Sequence, residues 1–395
     1  MKYTPLSDEV NLREGVVIDV SSLYVALCTL HDKRDARGLR YALVTMLVFI
    51  LLAKLGGEDH LRGIAQWVKL RKERLAEALG LVKVQAPHAT TYSRVLRTAV
   101  DVEECERVER TFFSSQPKAG QSVLVSIDGK TLRGTIPAGE SQGVHLLAAY
   151  LPEEGWVMMQ VEVQGHENEI PAAERMVPCI DLRNKIVTGD AQLAQRELSM
   201  QVVQAGGNYV WVVKDNQPQL RADIAALFEP EVCAPGCSPT PKDFETAKTC
   251  EKGHGRLERR TLTSSSMLKG YVHWPFAEQV FKLERRFVRI TDGLVLEETV
   301  YGVTSLTHAQ ADANRLLGIV RSHWGIENGL HYRRDETLRE DRCRLTGQGA
   351  HVMAIINNLL LGLLLRQGVV NVPDARRYYN AYPEEAVKLL LLSPA

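Results

Sequence analysis

The sequence predicts an α/β protein with a helical amino-terminal region and a β-rich insertion. Apolar residues recur at three-to-four spacing through Leu43, Met46, Leu47 and Ile50, and again through Leu61, Ile64, Ala65 and Val68, the period of helices with one buried face. From residue 120 that period gives way to short apolar runs of strand length, beginning with VLVSI at 123–127. After a Pro/Gly/Ser-rich stretch that starts near 229, the runs 280–290 and 295–303 alternate like strands again.

Taken in order, residues 1–19 read as a tail and 20–117 as a helical domain. Within it the basic run Lys69, Arg71, Lys72, Arg74 leads to a stop at Gly80, and Pro87, Thr90 and Thr91 can start a short helix bearing Arg94 and Arg97. Such a unit can bind DNA, and the same charges also suit the solvated faces of a bundle. Residues 118–228 read as strands at 123–127, 144–150 and 156–163, a helix from about 170, a strand at 185–188, a helix at 195–203 and a strand at 209–213. The insertion spans 229–305; a second α/β segment spans 306–375, with a long helix over about 309–331; a tail closes the chain at 376–395.

Composition sets limits on the class. A chain of 395 residues, 45% of them hydrophobic, can bury two or three cores. The apolar stretches 46–53 and 355–365 fall short of the ~18 residues a membrane span needs, so no membrane partner is expected. The opening run MKYTPLSDEVNLREG is charged where an export signal would be apolar, which points to the cytoplasm. Seven cysteines scattered over the chain read as free thiols. Equal numbers of basic and acidic residues, 48 each, leave any nucleic-acid surface to local clustering.

The chemistry is carried by acids. Phosphoryl transfer with two divalent metals needs hard oxygen ligands converging on one point. Asp128 closes the first expected strand and Asp190 the fourth, and each is followed by a small residue, Gly129 or Ala191. A third acid follows from helical phase: at 100° per residue Leu316, Leu317, Val320 and Trp324 form one apolar stripe, and Glu327 falls on it. A carboxylate buried there needs a partner, either a metal or an arginine such as Arg321 or Arg334. Glu336 and Glu340 are competing acids beyond the stripe.

These residues resemble the DDE transposases of bacterial insertion sequences, in the ISAs branch that includes the H-repeat-associated proteins. The resemblance covers nearly the whole chain and rests on SIDGKTLRG at 126–134, NEI at 168–170, VTGDA at 187–191, and Tyr209 followed by KDNQ at 214–217. It continues through KGHGR at 252–256, HWGIEN at 323–328, and Leu330-His331 leading to Glu340-Asp341.

The resemblance implies an RNase H-like mixed sheet flanked by helices, with the β-rich insertion between the second Asp and the Glu. It implies that Asp128, Asp190 and Glu327 hold Mg²⁺, with Mn²⁺ as a substitute, and that the enzyme is an endonuclease that also joins a freed 3′-OH to target DNA. Related enzymes carry Tyr, Arg and Lys on the Glu helix where this chain has Val320, His323 and Arg334. Lys130, Arg133, Lys214, Asn216, Arg256, His323 and Arg334 are the expected DNA contacts, with further arginines after the Glu able to neutralise phosphates. Element ends and target DNA are the expected partners, within a homo-oligomer of at least two copies.

Rival readings stay open at this level. A domesticated relative would bind DNA without transfer, and a related nuclease would hydrolyse without joining. Cys233, Cys237, Cys250 and His254 stand near zinc-finger spacing, but the intervening loop lacks a finger's apolar pattern and no zinc is expected. Trp274, before Pro275, reads as a packing residue more readily than as a platform for an unpaired base.

Overall fold

The computed structural model describes residues 18–392 except 36, 38, 82–84, 117–118, 166, 231–240 and 254. Five helices come first: α1 (Leu23–Leu27), α2 (Leu43–Leu55), α3 (Leu61–Ala78), α4 (Ala89–Thr98) and α5 (Val102–Ser114). Strands β1 (Leu124–Thr131), β2 (His145–Leu151) and β3 (Trp156–Val163) follow, then α6 (Glu169–Met176), β4 (Ile186–Gly189), α7 (Arg196–Gln204), β5 (Asn208–Val213) and α8 (Pro218–Phe228). Four strands, β6 (Glu245–Gly253), β7 (Arg256–Ser265), β8 (Gln279–Arg289) and β9 (Val295–Thr304), lead to α9 (Ala313–His323). Helices α10 (Gln348–Arg366), α11 (Val372–Ala381) and α12 (Pro383–Leu391) complete the described chain.

The described residues form two compact units, one from Met1–Ser122, Gly129–Gly165 and Glu327–Ala395, the other from Val123–Asp128 and His166–Ile326. In the first, α2 and α10 are apolar on nearly every side, so each must be covered all round. Helices α4, α5 and β3 pack on α10, while α3, α11 and α12 pack on α2. The amino-terminal helices are therefore not a separate domain, because their core includes residues contributed more than 200 positions later. The expected carboxyl-terminal tail is likewise helical: α12 buries Val387, Leu390 and Leu391. Helix α10, at 19 residues, is longer than the expected apolar run and could span a membrane by length and composition; most of it is buried in this unit, and its Asn357 and Asn358 lie in a polar network there.

Part of the basic run on α3 is consumed internally. Arg71 donates to Asn380 at 3.0 Å and stacks over Trp67, and Arg74 pairs with Glu384 at 2.8 Å, which leaves Lys69 and Lys72 on the exposed side. Gly80, at a φ of 65°, ends the segment in the left-handed region that glycine adopts without steric cost.

In the second unit the strands run β1-β4-β5-β9-β8-β7-β6. Strands β1, β4 and β5 are parallel, and all later pairings are antiparallel. The region expected as an insertion is β-rich from residue 245, and its last strand pairs directly with β5, Val210 opposite Thr304, so it prolongs the sheet. That pairing satisfies the β5 edge, which would otherwise leave a row of backbone donors open. Leu316, Leu317 and Ile319 of α9 pack onto Leu124, Ile186, Val210, Leu262 and Phe281, fixing this helix across the sheet. Trp274 is 7% exposed and belongs to the core beside Tyr209, whose hydroxyl donates to the Pro275 carbonyl at 2.6 Å.

Candidate active site

Backbone register brings two of the acids to one level. The parallel ladder pairs Leu124 with Ile186 and ends with Ile127 opposite Gly189, so Asp128 and Asp190 each occur one residue beyond it. Strand β1 does not stop at Asp128 as expected but runs to Thr131. Gly189 is required by the packing: a Cβ there would press on Leu193 and Trp211. The Asp190 side chain caps the turn Ala191–Leu193 by accepting the Leu193 N–H at 3.2 Å, and Asn216 donates to the Ala191 carbonyl at 2.6 Å.

The two carboxylates oppose each other electrostatically. Asp190 opens to solvent, yet the protein crowding it raises its carboxyl above the usual aspartate range, against the Leu193 N–H that lowers it; the charges of Glu169 and Asp128 raise it further. Like charges gathered at one point are the environment a divalent ion neutralises.

His323 lies beside them. Its Nδ1 is 3.1 Å from the Thr188 hydroxyl, and Thr188 donates to Ser126 at 3.2 Å, linking β1, β4 and the end of α9. Burial pushes the His323 imidazole below its ordinary range, and Asp128 pulls the other way. Ser126 and Thr188 stand within the quoted runs SIDGKTLRG and VTGDA, but no role was expected of either side chain.

Glu327 departs from expectation. Helix α9 ends at His323, Trp324 forms a turn and is 51% exposed, and two π-helical turns follow, Glu327–His331 and Arg333–Thr337. The projected apolar stripe therefore does not extend to Glu327, which is exposed in the first unit. The two arginines considered as its partners are engaged elsewhere: Arg321 with Glu251 at 2.5 Å and Arg334 with Glu340 at 2.8 Å. Of the competing acids, Glu340 is buried on Arg334 and Asn357, and Glu336 is exposed.

The expected DNA contacts divide in the same way. Arg334 is fully buried and Lys130 is 8% exposed, with its Nζ 2.5 Å from Asp335; neither presents charge to a phosphate, which corrects both assignments. Lys130 was read from its charge beside Asp128 and Arg334 from the place where related enzymes carry Lys; the burial of neither was legible. Arg133 keeps an 80% exposed side chain, Lys214 is exposed, and Arg256 is exposed with its guanidinium over the Phe287 ring at 5.0 Å. Asn216 serves the turn after Asp190. Cys250 lies exposed on β6, and Cys233, Cys237 and His254 lie outside the described residues. The five described cysteines, at 28, 105, 179, 250 and 343, are free thiols.

Residues 119–364 match the family described as Transposase DDE domain, and residues 25–113 match the DDE_Tnp_1-associated family. The chain belongs to the DDE transposases. Relatives include YncI of Escherichia coli O157:H7, which carries a candidate-transposase name and is 24% identical over 88% of each chain. YhhI of Escherichia coli K12, named as an H repeat-associated transposase candidate, is 26% identical over 65% of this chain and 68% of its own. A solved piggyBac transposase synaptic complex with hairpin DNA aligns at a TM-score of 0.42 and 11% identity, over 96% of this chain and 79% of that one. The protein is thus a DNA transposase, and the paired aspartates of its second unit lie within the matched DDE domain.

Proposed function

We propose that this transposase cuts and joins DNA at the ends of a bacterial insertion sequence, with Asp128, Asp190 and Glu327 as metal ligands. The observation that carries the reading is the register of β1 and β4, which sets Asp128 and Asp190 level on neighbouring strands where their charges oppose each other. Hard carboxylate oxygens of this kind suit Mg²⁺, with Mn²⁺ able to substitute, and the bound metals would supply the Lewis-acid clamp on attacking and leaving oxygens. Glu327 is taken as the third carboxylate; it is exposed and without an arginine partner among the described residues, which hold no ready-made group of three metal-ligating side chains.

The protein's own contribution is placement. The β1-β4-β5 ladder, read as the RNase H-like core, fixes the two aspartates, and Asn216 with the Asp190 cap holds the turn beside them. His323, its Nδ1 held by the Thr188 hydroxyl, stands beside the two aspartates where the reacting phosphate would lie. The exposed charges of Arg133, Lys214 and Arg256 contact the DNA backbone. The reading also implies at least two copies at paired DNA ends, acting on cytoplasmic nucleoid DNA.

The test is strand cleavage and joining on duplexes taken from the DNA flanking this gene, with Mg²⁺ or Mn²⁺, comparing the parent with Asp128→Asn. Cleavage and joining by the parent, both lost in the variant while DNA binding remains, supports the reading. Cleavage without joining would favour a nuclease.

A further inference from the structure

The first unit contains an ion-pair lattice built around Asp341 and Asp335, with Arg133 Nε at its edge 3.8 Å from Asp341 Oδ2. Lys130 Nζ lies 2.5 Å from Asp335 Oδ1 and 3.7 Å from Asp341 Oδ1. Asp341 also accepts the Arg133 backbone N–H at 3.0 Å. A Cβ on Gly134 would collide with the carbonyl oxygens of Cys343 and Asp341, so the turn Arg133–Thr135 lies directly against the turn Glu340–Arg342. Nearby, the buried Arg334 donates from Nε to Glu340 at 2.8 Å and from Nη1 to Gln160 at 3.0 Å, and Asn357 donates to Glu340 at 2.7 Å.

Both networks fasten one segment. Asp335 and Arg334 belong to the second of the π-helical turns that begin at Glu327, and the first turn packs Gly329 against the Tyr150 hydroxyl with no room for a side chain. Consecutive π turns are rare and weakly self-sustaining, so a segment that holds this shape depends on contacts outside its own backbone. A buried lysine and a buried arginine are costly unless paired; Lys130 pairs with Asp335 of that segment, and Arg334 of the segment pairs with Glu340 while its Nη2 is buried without a hydrogen-bond partner among the described residues.

We propose that Lys130, Asp335 and Asp341, with the Arg334–Glu340 pair, are positioning residues that hold the two π-helical turns beginning at Glu327 in their observed shape. This rests on the reading of Glu327 as a ligand. The motif lysine two residues after Asp128 then acts inward on its own chain, and its removal changes metal affinity without changing DNA affinity.

The experiment compares the parent with Lys130→Met, Lys130→Arg and Glu327→Gln at a temperature where circular dichroism shows all of them folded. Mn²⁺ binding is measured by calorimetry on the full chain, and affinity for a duplex from the flanking DNA is measured without divalent metal across a salt series. Lys130→Met is expected to weaken Mn²⁺ binding by about 10-fold or more, as removal of outer supports of a metal site does, with Lys130→Arg recovering most of it. DNA affinity is expected to stay within about twofold with an unchanged salt slope. A lowered DNA affinity with a salt slope reduced by about one, and parent Mn²⁺ binding, would overturn the proposal in favour of a phosphate contact. Parent values in both measurements would overturn it as well. If Lys130→Met does not fold, Asp335→Asn is read by the same criteria, since it removes the charge and keeps the shape. Parent Mn²⁺ binding by Glu327→Gln would remove the underlying ligand reading, and that outcome is independent of the Lys130 result.

Discussion

Asp128 and Asp190 reach their level through a parallel backbone ladder, whereas Glu327 heads two π-helical turns braced by side-chain ion pairs. The first arrangement is set by main-chain hydrogen bonds that any apolar strand sequence can form, so a change in an aspartate side chain leaves the scaffold intact. The second depends on individual charges, so a change in a bracing residue can alter the geometry of an acid it never touches. Mutations should therefore separate chemistry from stability in the strand region and combine them in the Glu327 segment.

The largest expected effect is at Asp190. Asp190→Asn keeps an oxygen able to accept the Leu193 N–H but removes the charge proposed to hold a metal, so cleavage should fall by at least about 10³-fold. Melting without metal should not drop, because one of several like charges is gone. Gel cleavage assays and scanning calorimetry check the two parts. A large loss of stability would show that the strand-end carboxylate is structural.

In the braced region the order reverses. Arg334→Met leaves Glu340 buried without its cation, which should cost about 3 to 5 kcal/mol in urea unfolding. DNA affinity of whatever fraction stays folded should match the parent, since Arg334 has no surface to offer. Asn216→Ala should sit between the two classes, lowering cleavage by about 10-fold through the loosened turn after Asp190 while unfolding changes little. A parental cleavage rate would show that the turn holds itself.

The smallest effect concerns pH. Glu109 on α5 is buried, and burial first, then the Glu106 charge, push its carboxyl well above the usual range, against Arg334, which lowers it. A raised folded-state pKa stabilises the fold below the unfolded value, and that contribution fades as pH rises toward the folded value. Glu109→Gln should therefore melt no lower than the parent at pH 8 and flatten the decline in stability from pH 5 upward. A steeper decline in the variant would show that Glu109 is ionised and paired.

The strand elements were legible in sequence because β1, β4 and β5 are short apolar runs ending in small or acidic residues, and this made the Asp128 and Asp190 pair readable as well. The Glu327 geometry was not, since projecting 100° per residue assumes one unbroken α-helix. Here the helix ends at His323, and the next turns have a different period. Phase arithmetic consequently placed an exposed acid on a buried stripe. Lys130 was misread because a basic residue beside a catalytic motif resembles a phosphate contact while its partner, Asp335, is remote in sequence; Arg334 was misread although its partner Glu340 is six residues away, because its complete burial is not visible in the sequence. The helical amino-terminal region was correctly read as helical but not as part of a larger unit, because the need of α2 and α10 for cover on all sides emerges only once both helices are placed.

The most direct test of the account is Glu327→Gln, assayed for cleavage and for unfolding on the same preparation. Because Glu327 is exposed and both candidate arginines are paired elsewhere, stability should stay within about 0.5 kcal/mol of the parent. DNA binding should persist, and cleavage with Mg²⁺ should fall by about 10³-fold. A Glu327→Gln protein that cleaves flanking DNA at the parental rate would contradict the account, whatever its stability.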